Sequence, residues 1–404
     1  MIKKIPIAAL IPGMYVHDLN CGWMEHPFLS NRFMVRDEHQ LENIRTLGIR
    51  ELYIDTEYGL DMPHAPTQAE VEADLRRHME RIAAPSLPEA AAPRRIELEE
   101  EIPRARKLHT EANRIVRNLL SDIRLGAQIR LDRVEPMVEP IVDSIFNNSN
   151  ALLPLAGLKR HDTYTFEHSV SACALMVAFA RELALPRNTI LEIATGALLH
   201  DVGKAKVPDA ILNKPARLTP DEFEQMKLHV THSARLLEQT SGISQTALQV
   251  ASQHHERYDG GGYPNGISGE AISLYGQMAA IVDVYDAISS NRVYHTGLQP
   301  SEALKKLLEW SSHHFEPRLV HTFIRAIGIY PTGSLVRLQS GRLAVVREQN
   351  ETDLLHPRVL AIYHAGDHGF LSSPEIIDLS QTREEVLGHE EYRTWKLNPK
   401  SWLP

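Results

Sequence analysis

Residues 198–206 read LLHDVGKAK, an apolar run that stops on a histidine, an aspartate, a glycine and a lysine. A helix that buries Leu198 and Leu199 and ends on two adjacent polar groups must find partners for them. A buried polar group without one costs free energy. The dyad alone decides nothing, because His-Asp occurs twice more, at His17-Asp18 and His161-Asp162. His17-Asp18 lies outside the helical region and reads as surface, and His161-Asp162 precedes a helix that Asp162 is placed to cap.

For His200-Asp201 the rest of the chain supplies company. His168 sits in TFEHSVS, His229 in KLHVTH, His254 and His255 in SQHHERYDGGGYP, and Asp283 in AIVDVYDA. Each falls on, or at the end of, a predicted helix whose other positions are apolar. Several helices can thus aim these groups at one pocket, as in di-metal carboxylate bundles. Five imidazoles and two carboxylates form a borderline-to-hard donor set, suited to iron, manganese, nickel, cobalt or zinc. An aspartate has two oxygens and can bridge two cations where a histidine cannot. Two ions roughly 3.5–4 Å apart can share a water, lower its pKa and clamp both oxygens of an in-line phosphoryl displacement. Lys204 stands just beyond the dyad, where an ammonium can meet a phosphate oxygen.

Taken singly, each residue has a plainer reading. A lone buried histidine is more often hydrogen-bonded in the core than a ligand. His313-His314 is a histidine pair with no glycine loop beside it, Gly260–Gly262 alone is a turn, and Asp283 with Asp286 reads as a solvated helix face. Taken together, those readings require a coincidence at every position.

The bulk properties bound the reading without deciding it. The chain has 404 residues, 43% hydrophobic and 24% charged, which fits a soluble protein of two or three domains. Its formal net charge of −9 argues against a nucleic-acid polymer as partner, while a local metal site still admits a small phosphorylated ligand. Only Cys21 and Cys173 are present against 21 histidines, which disfavours disulfides and thiolate zinc and fits a reducing, cytoplasmic setting. The N-terminus does not read as a signal peptide, and no run approaches a membrane span, since SACALMVAFA closes on Arg181 and Glu182.

The organisation is mainly α. Residues 1–82 read as a small α+β module, in which IRTLGIRELYID gives a helix end, a stop at Gly48 and a strand through Leu52-Tyr53-Ile54. A charged helical pattern from Ala65 to Arg81 follows. The Ala/Pro-rich residues 83–96, including AAPSLPEAAAPRR, read as a flexible linker. Residues 97–328 form the helical region. There LTPDEFEQM places Thr219 as N-cap, Pro220 at the first turn and Glu222 to close a capping box. Phe223, Met226, Val230, Ala234 and Leu237 then recur at helical spacing and are expected to face the core. Residues 329–404 form a β-rich tail, with a hairpin turning on Ser340-Gly341.

At this point a resemblance can be named. HHERYDGGGYPNG (254–266), with upstream LLHDVGK, the intervening ILNKPARLTPDEF and downstream VDVYDAISS, resembles the HD-GYP family of cyclic di-GMP phosphodiesterases over residues 160–328. The N-terminal region is similar, more weakly, to a domain that often precedes HD-GYP domains. The resemblance implies an all-helical HD fold and hydrolysis of the 3′,5′-phosphodiester of cyclic di-GMP by a bridging hydroxide, giving pGpG and in some members GMP. It implies two divalent ions, iron or manganese foremost. One is assigned to His168, His200, Asp201 and Asp283, the other to Asp201, His229, His254 and His255. Asp201 and Lys204 are the expected catalytic groups. Lys204 and Arg292 (in SSNRVYHT) are expected on substrate phosphate, and Gly262, Tyr263 and Pro264 in the pocket wall.

Three positions depart from the family pattern. Tyr164 stands where some members carry a glutamate for a third metal, Ser233 replaces a usual glycine, and RVY replaces RPY. Two other readings stay open: a non-catalytic cyclic di-GMP receptor signalling through protein partners, by way of the N-terminal domain or the GYP surface, and a hydrolase for another cyclic dinucleotide. A homodimer is compatible with either.

Overall fold

The structure, a computed structural model, describes residues 1–21, 32–84, 96–156, 164–290, 297–311 and 313–402. Its contacts divide the chain into two compact units, Met1–Met79 with Ala216–Glu224, and Glu80–Pro215 with Gln225–Pro404. The linker residues 85–95, His161-Asp162 and Arg292 lie outside the described residues.

In the first unit, strands β1 (Ile2–Pro6), β2 (Tyr15–Asp18), β3 (Phe33–Met34) and β4 (Glu51–Asp55) form an antiparallel sheet in the order β1-β4-β2-β3. Helix α1 (Glu38–Arg45) starts where the Asp37 carboxylate accepts the Gln40 N–H at 2.8 Å. Leu41 and Ile44 of α1 pack on Ile5, Val16, Leu52 and Ile54 of the sheet. Gly48 takes φ +69° after the helix, and β4 contains the expected strand. His17-Asp18 lies on β2 and is half-buried, not fully exposed. Helix α2 (Gln68–Ala83) occupies the charged segment.

The helical region comprises α3 (Leu98–Arg124), α4 (Leu131–Ala156), α5 (Tyr164–Glu182), α6 (Arg187–Leu199), the single turn α7 (Asp209–Leu212), α8 (Pro220–Glu238), α9 (Gln245–Gln253), α10 (Leu274–Ser289), α11 (Pro300–Trp310) and α12 (Pro317–Ile327). The capping box forms as expected: the Thr219 N–H donates to Glu222 at 2.7 Å, and the Glu222 N–H to Thr219 Oγ1 at 3.3 Å. On α8 the apolar stripe divides. Val230 and Leu237 are buried, whereas Phe223, Met226 and Ala234 are only half-buried. The other buried positions on this face are His229 and Ser233. Helices α6 and α9 approach closely at Gly196, where a Cβ would stand 2.7 Å from the Ala247 Cα. That approach brings the C-terminal ends of the two helices together.

Strands β5 (Leu335–Leu338), β6 (Arg342–Glu348), β7 (Arg358–His364), β8 (Gly369–Asp378) and β9 (Val386–Glu390) form a second antiparallel sheet, ordered β8-β7-β6-β5-β9. The β5–β6 hairpin turns through Ser340 and Gly341, the latter at φ +82°. This sheet is built onto the helices. Helix α4 breaks at Asn148 (φ −162°, ψ 99°), whose side-chain N–H groups reach the Ile96 carbonyl and Glu348 Oε1, both at 3.1 Å. Asn150 Oδ1 accepts from Thr332 Oγ1 at 2.7 Å and from the Gln349 N–H at 3.0 Å. The kink frees polar groups from the helix, and the sheet satisfies them. Among the described residues no helix is long and apolar enough to cross a membrane.

Candidate metal centre

Five helices deliver the seven expected ligands to one place. His168 lies on α5 and His229 on α8, while His200 and His254 close the C-terminal ends of α6 and α9. His255 follows directly, Asp201 opens the 3-10 turn Val202–Lys206, and Asp283 lies on α10. His168, His200, Asp201, His229 and His254 are each no more than 3% exposed.

Asp201 stands in the middle. Its Oδ2 is 3.5 Å from the Nε2 atoms of both His168 and His200, and its Oδ1 is 3.4 Å from His229 Nε2 and 3.9 Å from His254 Nε2. Asp283 adds Oδ1 at 3.0 Å from His168 Nε2 and Oδ2 at 3.5 Å from His255 Nδ1. The ligand atoms of His168, His200 and Asp283 lie within 4.8 Å of one another, as do those of His229, His254 and His255. Lys204, in the same 3-10 turn, donates its ammonium to Asp201 Oδ2 at 2.5 Å.

The tautomers follow from the outer hydrogen bonds. His200 Nδ1 is 2.7 Å from the Ala197 carbonyl, His229 Nδ1 is 2.6 Å from that of Met226, and His254 Nδ1 is 2.9 Å from that of Ala251. A carbonyl only accepts, so each Nδ1 carries the proton and each Nε2 turns a lone pair inward. His168 does the same against a carboxylate, with Nδ1 2.5 Å from Asp286 Oδ2. Its Nε2 then faces that of His200 at 3.1 Å. The buried atoms Asp201 Oδ1, His229 Nε2 and His254 Nε2 have no hydrogen-bond partner among the described residues. Converging acceptors without donors are what a cation satisfies, so this donor set fits a divalent metal centre.

Protonation favours the same role. Burial pushes the His229 imidazole down to about 3 and that of His255 to about 4, and it also lowers His200 and His254. Burial works against ionising Asp201 and Asp283. The Lys204 ammonium and the surrounding imidazoles outweigh it for Asp201, and His255 and His168 for Asp283, so both stay well below the usual carboxylate range. Burial also opposes a charge on His168, but the Asp283 and Asp286 carboxylates raise it. Neutral imidazoles beside ionised carboxylates are the ligand-competent forms.

The glycine-rich loop packs against the cluster at His255. The Tyr263 ring stacks on His255 with centroids 4.6 Å apart, and its N–H donates to the His255 carbonyl at 3.0 Å. Gly262 has no room for a side chain, since a Cβ would stand 2.3 Å from the Arg257 nitrogen. The Tyr263–Pro264 bond is cis. The loop hangs on Glu256, only 1% exposed, whose two oxygens accept the N–H groups of Asn265 at 2.8 Å and Ile267 at 3.2 Å. Glu256→Gln turns one of those acceptors into a donor facing an N–H. We expect a cost of about 1–3 kcal/mol, read as a melting point lower by roughly 3–12 °C at unchanged metal content.

Besides Glu256, two features escaped the sequence reading. Asp286 is not on a solvated face; it is 2% exposed and bonded to His168. Ser233 tethers the dyad turn, its Oγ accepting the Gly203 N–H at 2.8 Å. His313-His314 is structural, with the His314 carbonyl accepting the Tyr258 N–H at 2.9 Å and its ring stacked on Trp310.

Comparison with known proteins agrees with this geometry. Residues 2–134 match a family model described as a domain of unknown function, DUF3391, and residues 151–319 match the HD domain. A cyclic di-GMP phosphodiesterase of Pseudomonas aeruginosa is 39% identical over 398 residues, 98% of this chain and 94% of that protein. A cyclic di-GMP phosphodiesterase of Vibrio cholerae is 38% identical over 41% of this chain and 35% of its own length. A 3′3′-cGAMP-specific phosphodiesterase of the same organism is 31% identical over 44% of this chain and 37% of its own. With an HD domain around the clustered histidines and such identity sustained along nearly the whole of the Pseudomonas enzyme, the chain belongs to the HD-GYP family of cyclic di-GMP phosphodiesterases.

Proposed function

We propose that this protein hydrolyses a 3′,5′-phosphodiester bond of cyclic di-GMP to give linear pGpG, lowering that second messenger in the cytoplasm. The observation that carries the reading is the division of Asp201, one oxygen toward His168 and His200 and the other toward His229 and His254. We assign one divalent ion to His168, His200, Asp201 and Asp283, and a second to Asp201, His229, His254 and His255. Iron or manganese suits such a nitrogen–oxygen set, and nickel, cobalt and zinc share its donor preference. Such ions supply Lewis acidity toward phosphate oxygens and an acidified water at neutral pH.

The chain's own groups do the rest. Burial keeps His200, His229, His254 and His255 neutral, and main-chain carbonyls orient the first three. Lys204, 19% exposed at the rim of Asp201, is the cation nearest the dyad and would meet the scissile phosphate. Arg292 is assigned to substrate phosphate from the family pattern. Tyr263, backed by His255, makes a flat wall beside the ligands.

A second reading, cleavage of 3′3′-cGAMP, is favoured by the relative named for that specificity. The test is anaerobic purification, a metal count, and incubation with each dinucleotide under Fe(II) or Mn(II). About two ions per chain and faster release of pGpG from cyclic di-GMP are expected. Faster turnover of 3′3′-cGAMP would establish the second reading, and bound metal with no cleavage of either would make the protein a receptor.

A further inference from the structure

We propose that Asp286 is a positioning residue of the metal centre: held by Ser171, its carboxylate locks His168 with Nε2 turned toward Asp201 and Asp283. This rests on the metal-centre reading above and adds a residue that touches neither ion nor substrate.

The argument begins with helix periodicity. Positions three apart share a helix face. His168 and Ser171 are such a pair on α5, and Asp283 and Asp286 are another on α10, so the two helices meet through two layers of side chains. In the inner layer, Asp283 Oδ1 lies 3.0 Å from His168 Nε2. In the outer layer, Asp286 Oδ2 lies 2.5 Å from His168 Nδ1, and Asp286 Oδ1 accepts the Ser171 hydroxyl, also at 2.5 Å. His168, Ser171 and Asp286 are all at most 2% exposed.

The outer layer makes His168 unlike its neighbours. His200, His229 and His254 donate Nδ1–H to neutral main-chain carbonyls, each three residues earlier in its own helix. His168 donates to a carboxylate on a different helix. A carboxylate acceptor fixes both tautomer and ring angle, and it makes the opposite nitrogen a stronger donor to a metal. Ser171 holds the carboxylate's rotation by occupying its second oxygen.

The test uses the full-length protein stripped of metal by a chelator. Mn(II) is titrated in while free ion is followed by electron paramagnetic resonance, for the wild type, Asp286→Asn and Ser171→Ala. Asparagine keeps the shape but loses the charge and one acceptor. We expect Asp286→Asn to weaken Mn(II) binding by roughly 10–100-fold and Ser171→Ala to weaken it less. The metal-free melting points should stay within a few degrees of wild type, and excess Mn(II) should restore turnover in both variants. Unchanged Mn(II) affinity in Asp286→Asn would overturn the positioning role while leaving the metal centre standing. A metal-free melt that collapses in both variants would make the pair a fold element and overturn it too. A wild type that takes up no Mn(II), Fe(II) or other divalent ion would bring down the metal-centre reading and this inference with it.

Discussion

Asp201→Asn should cost turnover roughly 10³-fold or more, about 4 kcal/mol of transition-state stabilisation, in a protein that still folds. The carboxylate serves both halves of the site, with Oδ2 facing His168 and His200 and Oδ1 facing His229 and His254. An asparagine has one acceptor oxygen and an NH2 group, so whichever way it turns, two donor hydrogens point into one half. That half loses a ligand and gains a group that repels a cation. The Lys204 ammonium also loses the charge that holds it at 2.5 Å. The fold is spared because the amide hydrogens find the inward-facing imidazole nitrogens. The measurements are metal content, kcat and melting temperature. Half the wild-type metal with turnover down at least a thousandfold is expected. Turnover above a tenth of wild type would show that no single carboxylate links the two groups.

Gly203→Ala should damage stability and chemistry together. Gly203 follows the dyad by two residues, and an added Cβ would stand 2.0 Å from the His229 carbonyl oxygen and 2.5 Å from the Ser233 nitrogen. Both obstacles are main chain on α8, so no rotamer change relieves them. The dyad turn and α8 must part, which breaks the Gly203–Ser233 hydrogen bond and draws His229 away from Asp201. Overpacking of this kind costs about 1–3 kcal/mol and occasionally more, a melting point lower by roughly 3–12 °C. We expect turnover to fall beyond what the lost stability explains, because His229 is assigned above to the second ion. A Gly203→Ala/Ser233→Ala double variant should not recover, since the serine hydroxyl is the farthest of the three obstructing atoms. Recovery would mean that the side chain, not the backbone, sets the spacing.

How much of this was legible in the sequence depended on how local the cause was. The Thr219–Glu222 box, the turn at Gly341 and the strand through Leu52-Tyr53-Ile54 are set by residues a few positions apart, and each formed where the pattern put it. The clustered histidines and aspartates of the proposed centre were legible because such residues inside apolar helices are themselves the signal. Asp286 was not. Its spacing from Asp283 looks like a wet helix face, and its partners Ser171 and His168 lie 115 and 118 residues away. Glu256 was missed because it binds main-chain N–H groups, which no side-chain pattern reveals. Ser233 registered only as a departure from the family, because its use depends on the close approach of Gly203. The break in α4 is similar: the helix holds three prolines, yet it bends at Asn148, where the sheet offers Glu348 as partner. For Asp286, the outward neighbour of a ligand on the same helix face was the usable sign.

The helix geometry around the centre also decides which errors of inheritance it can absorb. The proton on Nδ1 of His200, His229 and His254 is placed by the carbonyls of Ala197, Met226 and Ala251. Every amino acid carries that carbonyl, so those three positions can drift in sequence without altering the tautomers, provided the helices persist. His168 is held by a side chain. Of these four imidazoles, His168 is thus the one whose Nδ1 partner a single codon change, at Asp286, can remove.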